Sequence, residues 1–323
     1  MTRRLATILL AATAACALGQ PAGAQGWPNK TVKVIIPNTA GSGVDIVGRA
    51  VAQRLQDTLK QAFVIENRPG AGTTTGIAAA AASPADGYTL LFATAAMTTT
   101  PVTMAKLSYD VGRDLAGVIP LVNTPLVMVT PAGRYSSVQD FVAKAKAAPG
   151  KLNYAVIGYG AAAHFASEQF ALAAGYKAQM VSFRGTNEAL TEVLAGRMEF
   201  FFTPVTAARG LIADKKLDPL AVTSRTRDPE MPNVPTTEQA GYKNSNFDFW
   251  VGLVVPRKTP AAIIDTLYAE TFKVSQTKAF RDQMAKIGGV VMDPLKPAQF
   301  DAFIADEIKR NRETAKAAGI TAK

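Results

Sequence analysis

Five short segments in this chain of 323 residues combine types that could hold an anion without covalent chemistry. The first, Asn38-Thr39-Ala40-Gly41-Ser42-Gly43, stands just before a helical pattern. Its glycines let the backbone approach a ligand closely, and the amides at a helix start favour negative charge. A strand-to-helix turn with no ligand carries the same signature. Gly158-Tyr159-Gly160-Ala161 repeats the arrangement, with His164 in the first turns of the next helix. Arg184-Gly185-Thr186 and Thr203 close two further apolar runs, the former with a cation and a hydroxyl. The remaining segment, Glu66 to Gly76, places Arg68 in a glycine-rich turn, where it either faces an anion or braces Glu66. In open α/β sheets ligands sit beyond the carboxyl ends of strands, and all five segments fall there. One shared cleft is therefore expected.

The same residues exclude much catalysis. His164 is the only histidine, and no serine, cysteine or carboxylate accompanies it in the pattern of a triad. One histidine cannot build a metal site without a carboxylate cluster, and Cys16 is the sole cysteine. The G-x-S-x-G, Walker and H-E-x-x-H patterns are missing. No catalytic residue, metal or cofactor is expected. The enzymatic alternative is an exported nicotinamide-dependent oxidoreductase built on Gly41, Gly43 and Gly48, with Glu66 on the ribose. Its spacing is G-x-G-x-x-x-x-G instead of G-x-G-x-x-G, and Pro37 interrupts the entry from the strand. Asp45, three residues after Ser42, reads as a capping residue and not as an acid catalyst.

The elements that must position these segments alternate along the chain. Apolar runs predict strands at Val32–Ile36, Ala62–Ile65, Thr89–Phe92, Leu126–Thr130, Asn153–Ile157, Gln179–Phe183, Met198–Thr203, Leu220–Thr223, Phe249–Val255 and Val290–Met292. Between them lie helical stripes such as Val44, Val47, Val51, Leu55 and Leu59, opened by Ser42 and Asp45 as a capping box. Ser137 and Asp140 repeat that device. Such alternation is the mark of an α/β fold with largely parallel sheets. No long linker separates two consecutive domains. Instead, the segments near Leu126–Thr130 and Phe249–Val255 could each cross between lobes. Residues 25–127 with 250–323 would form one lobe and 128–249 the other, an arrangement suited to hinge closure on a ligand.

Residues 1–24 read as a cleaved signal peptide: Arg3 and Arg4, a short apolar run from Leu5 to Leu18, then Ala22-Gly23-Ala24. Thr13 stands where a lipid-anchored protein would carry an aliphatic residue before Cys16, which favours ordinary cleavage over an anchor. The net charge is +10, and removing Arg3 and Arg4 leaves +8. The basic residues are scattered, which speaks against nucleic acid and for long-range attraction of anionic solutes.

Read together, the motifs resemble the substrate-binding receptors of tripartite tricarboxylate transporters, the Bug family. The resemblance runs from Trp27-Pro28-Asn29-Lys30 through Asn67-Arg68-Pro69-Gly70-Ala71-Gly72 and Asp86-Gly87-Tyr88-Thr89-Leu90 to Trp250-Val251-Gly252. Gly158, Gly160 and His164 fit its G-x-G-x-x-x-H. The resemblance implies a type II periplasmic-binding-protein-like fold, two α/β lobes with a hinge of two crossing segments and a ligand cleft between them. It implies a periplasmic receptor that delivers an organic carboxylate to a membrane permease, and a monomer is expected; a sensor for a signalling partner would use the same closed cleft. Carried to this chain, its ligand-holding positions are Asn38 to Gly43, Thr94, Ala95 and Ala96, Gly158 to Ala161 with His164, Arg184 to Thr186, and Thr203. Ser42 replaces a family glycine, Thr203 stands where the family often has Asp, and Ala161-Ala162-Ala163 lacks the usual hydroxyls. These departures point to a less polar acid, aromatic or of medium chain length.

Overall fold

Short β-branched runs become strands, and the amphipathic stripes between them become helices. The structure, a computed structural model, describes residues 26–322, so the signal-peptide reading and Cys16 lie outside the described residues. In chain order the elements are β1 (Val32–Ile36), α1 (Gly43–Leu59), β2 (Phe63–Asn67), α2 (Thr74–Ala81), β3 (Thr89–Thr94), α3 (Ala96–Thr103), α4 (Val111–Asp114), β4 (Leu115–Asn123) and β5 (Leu126–Pro131). Then come α5 (Val138–Ala147), β6 (Leu152–Val156), α6 (Ala162–Ala174), β7 (Ala178–Ser182), α7 (Thr186–Leu194), β8 (Phe200–Pro204), α8 (Val205–Ala213) and β9 (Leu217–Val222). The chain ends with β10 (Trp250–Pro256), α9 (Ala261–Gln276), α10 (Lys278–Lys286), β11 (Val290–Val291) and α11 (Pro297–Ala318). No described helix is long and apolar enough to cross a membrane.

The strands form two mixed sheets. The first has the order β11-β4-β10-β3-β1-β2 and the second β7-β6-β8-β5-β9. β1 runs parallel to β2 and β3, while β10 runs antiparallel to β3 and β4. In the second sheet β6 is parallel to β7 and β8, and β5 is antiparallel to β8 and β9. The chain passes from the first sheet to the second through Thr124 and Pro125, and returns between Val222 and Trp250.

Core packing fixes both sheets. In the second, Phe141 and Phe200 meet edge to face at 5.1 Å, and Phe170 and Phe202 do so at 5.9 Å. Such contacts add to area burial. In the first, Phe300 of α11 presses on β10, where only a glycine fits. A methyl on Gly252 would stand 2.6 Å from the ring. One strand, β4, is absent from the sequence-based set. Pro120 and Gly117 argue against a central strand, since proline cannot donate to a ladder. Pro120 is accommodated opposite Gly252, next to a register shift in the β4–β10 pairing.

Candidate ligand-binding site

The first glycine turn is fastened from within. Ser42 caps α1 by accepting from the Asp45 amide at 3.4 Å. The Asp45 carboxylate does not close the capping box on Ser42; it accepts from the Gly41 amide at 2.9 Å, one residue earlier. It also accepts from Arg49 Nε at 2.8 Å and from Asn67 Nδ2 at 2.9 Å, while Asn67 Nδ2 donates to the Asn38 carbonyl. Burial alone would raise the Asp45 carboxyl, but these donors outweigh it and hold the group below its usual range. Asp45 is thus the buried knot of the turn. Arg68 pairs with Glu66 at 2.5 Å, which selects the bracing alternative for that guanidinium.

The second glycine turn is built differently. The cap position of α6 is Ala161, which has no side chain able to cap. The His164 amide bonds back to the Ala161 carbonyl at 3.0 Å, and the two amides before it, of Ala162 and Ala163, are left to a ligand or water. His164, buried, turns its Nδ1 back to accept from the Gly160 amide at 3.1 Å. Burial lowers its imidazole to about 4, so the ring is neutral with its proton on Nε2. Tyr159 stacks obliquely on His164 at 5.2 Å. Its hydroxyl accepts from the Thr321 amide at 2.7 Å. A side chain of the second turn is thereby tied to the carboxyl-terminal tail.

Between the sheets lies a cavity of about 550 Å³. From the first-sheet side come Asn38, Thr73, Thr94, Ala95, Ala96 and the face of α3 bearing Thr99 and Thr103. From the second come Gly158, Tyr159, Gly160, Ala161 and Ala162, with Phe247 and Phe249 from the returning segment. Two helices, α3 and α6, therefore begin at one cavity, and neither cap residue, Ala95 or Ala161, makes a side-chain cap bond. At α3 the Thr94 hydroxyl, one residue earlier, accepts from the Ala96 amide at 3.3 Å, so of the two only α6 starts with no side-chain acceptor. Asn38 Oδ1 and Thr73 Oγ1 are buried without a hydrogen-bond partner. No charged side chain lines this wall among the described residues.

The expected residues divide around this cavity. Asn38, Thr94, Ala95, Gly158, Tyr159, Gly160 and Ala161 line it. Ser42 and Gly43 line an adjoining pocket of about 190 Å³ that shares Asn38, Thr94 and Phe249 with it. Thr39, Ala40 and Gly41 are exposed parts of the first turn. His164 stands behind the second turn as its brace. Arg184, Gly185 and Thr186 open α7 away from the wall, with Arg184 exposed and its amide donating to Glu188. Thr203 is fully buried, its hydroxyl unpartnered. Thr73, Thr99, Thr103, Met104, Phe247 and Phe249 were not among the expected residues. Thr99 and Thr103 carry a readable signal, a threonine stripe at helical spacing.

Residues 47–320 match the model of the tripartite tricarboxylate transporter family receptor. The chain belongs to that receptor family. Protein BugT of Bordetella pertussis is 34% identical over 314 residues, covering 96% of this chain and 95% of BugT. Among solved structures, the periplasmic binding protein BugD has a TM-score of 0.71 at 26% identity, covering 92% of this chain and 100% of BugD. Rpa4515 of R. palustris, solved with adipate, has a TM-score of 0.74 at 28% identity, with coverage of 92% and 100%. The two sheets and the helices around them have the fold of these periplasmic binding proteins. The family is one of solute-binding receptors, not of enzymes. The dinucleotide reading of Gly41, Gly43 and Gly48 falls with that membership.

Proposed function

We propose that this receptor, exported to the periplasm after cleavage of residues 1–24, binds one small organic carboxylate between two lobes and delivers it to a tripartite tricarboxylate-type permease. The observation that carries this reading is the meeting of two helix starts, α3 and α6, at one cavity, with no side-chain cap on α6. Each helix start bears partial positive charge, and the first amides of α6 have no side-chain partner, which suits an anion. Amides, the Thr73 hydroxyl and bound water hold the carboxylate without a charged side chain. Closure of lobe 25–127 plus 250–323 on lobe 128–249 brings the two sets of amides to the ligand and shifts an open–closed equilibrium. Phe247, Phe249, Ile157 and Met104 on the wall favour an acid with an apolar body. The receptor works as a monomer.

The test is a thermal-shift screen of the mature protein with adipate, malate, citrate, phenylacetate, amino acids, sugars and nicotinamide cofactors. A ligand at a hundred times its dissociation constant adds about 2.7 kcal/mol to stability. Stabilisation confined to carboxylates, greatest for those with an apolar body, is expected. Stabilisation by sugars or cofactors with none by any acid would sink the reading.

A further inference from the structure

A second cavity, of about 400 Å³, shares no residue with the cleft between the sheets. It is walled by both segments that join the sheets: Asn123 and Pro125 of the first, and Ser224, Arg225 and Asp248 of the second. Asp248 lies between Phe247 and Phe249 in sequence, and those two rings line the carboxylate cavity. In an extended segment alternate side chains point to opposite faces, so the segment serves one cavity on each face. Val290, Met292, Leu295 and Phe303 supply an apolar wall large enough for a small ligand.

Among the buried polar side-chain atoms of this wall, one acceptor, Asn123 Oδ1, is unmatched. Asn123 Nδ2 donates to Asp248 Oδ1 at 2.8 Å, which fixes the orientation of the amide. Its Oδ1 is then left without a partner in a residue only 8% exposed. The other Asp248 oxygen accepts from Arg225 Nε at 3.2 Å, so these two charges compensate each other. Ser224 Oγ donates to the Thr226 carbonyl. Asp293, on the rim, has no cationic partner among the described residues. A buried acceptor that is not satisfied costs free energy until a donor reaches it. An apolar chamber with one free amide oxygen and one uncompensated carboxylate suits a primary ammonium on a short apolar body. We infer that the cavity behind the crossing segments is a second binding site, for a small alkyl- or arylalkyl-ammonium ion, separate from the carboxylate cleft.

Isothermal titration with phenethylammonium chloride, 2-phenylethanol and phenylacetate tests the assignment on the full mature chain. The ammonium is expected to bind at one site, about tenfold more tightly than the alcohol. Asp293→Asn, at an exposed position, is expected to remove about that tenfold preference while leaving the fold intact by circular dichroism. Leu295→Trp fills the chamber and is expected to abolish ammonium binding. No heat with the ammonium, equal affinity for the alcohol, or indifference to both substitutions would overturn the inference. So would phenylacetate binding that Leu295→Trp removes, since the chamber would then serve anions. Phenylacetate binding that Leu295→Trp leaves intact belongs to the cleft and supports the separation of the two sites.

Discussion

The turns that open α1 and α6 share a sequence signature and differ in what becomes of their amides. At Asn38–Gly43 the chain itself occupies them: Ser42 takes one, Asp45 takes another, and Arg49 and Asn67 lock the carboxylate. At Gly158–Ala161 alanine stands in the cap position, and His164 secures only the Gly160 amide. The second turn contributes four residues to the cavity wall, the first turn only Asn38. A glycine before a helix thus reports where the backbone can come close. Whether it does so for a ligand depends on the cap side chain that follows.

The largest expected effect separates the two turns by pH. The second is braced by an imidazole that must stay neutral, its value lowered from 6.5 to about 4 by burial. Between those values the unfolded chain binds the proton and the native state does not, so stability falls as pH drops from 6.5 to 4. The size is on the order of 3 kcal/mol, at about 1.4 kcal/mol per pH unit. The Asp45 brace of the first turn stays ionised through this range. An opposing group lies on α11. Burial pushes Glu307 up to about 7 despite its pairing with Arg310, so its contribution falls as pH rises from 4.5 to 7. Between pH 4.5 and 6.5 the two contributions oppose each other, and Glu168 and Asp248, also raised by burial, act in the sense of Glu307. Glu307→Gln should therefore lose more stability on acidification than the wild type, while His164→Gln should lose more as pH rises. Urea denaturation from pH 4 to 7 measures both. An unchanged slope in His164→Gln would break the distinction drawn between the braces.

The next effect belongs to the first turn. Asp45→Asn keeps the shape but removes the charge that Arg49, Asn67 and the Gly41 amide share. A loss of about 2 kcal/mol is expected, since buried hydrogen bonds to a charged group go unmade or misdirected. Carboxylate affinity, measured by calorimetry above the unfolding threshold, should change less than threefold, because only Asn38 of this turn reaches the cavity. A large loss of affinity with intact stability would show the first turn gripping the ligand after all.

Much of this arrangement was legible because it rests on local patterns. β1 fell on Val32–Ile36 as expected, and the Ser42 and Ser137 caps appeared where their spacing placed them. β4 escaped because Pro120 contradicts a central strand unless a partner, here the irregular pairing with β10, makes room for it. The cavity residues Thr73 and Phe247 sit in segments of no regular period and Phe249 opens an expected strand, and only the meeting of two sheets brings the three together. Arg184 shows the converse. A cation at a strand end looked ready for an anion, yet the direction in which a strand end faces is set by packing that no single segment encodes.

The smallest expected effects test the cap argument directly, because the two turns can be exchanged by one atom each. Ser42→Ala makes the first turn resemble the second and should cost about 1 kcal/mol, the usual worth of a serine cap. Carboxylate affinity should hold, since that amide serves the fold. Ala161→Ser makes the second turn resemble the first. A hydroxyl at the cap of α6 satisfies the amide of the second or third helical residue from within, so stability should rise by about 1 kcal/mol. The same hydroxyl then competes with the carboxylate for those amides, and affinity should fall by about fivefold. Thermal denaturation and calorimetry on one preparation read the two changes together. Opposite signs for stability and affinity at Ala161, against a change in stability alone at Ser42, would mean that this receptor keeps its ligand's amides free by withholding a cap. A gain in both at Ala161 would mean that the ligand is held elsewhere on the wall, with Thr73 and Asn38 the first residues to replace.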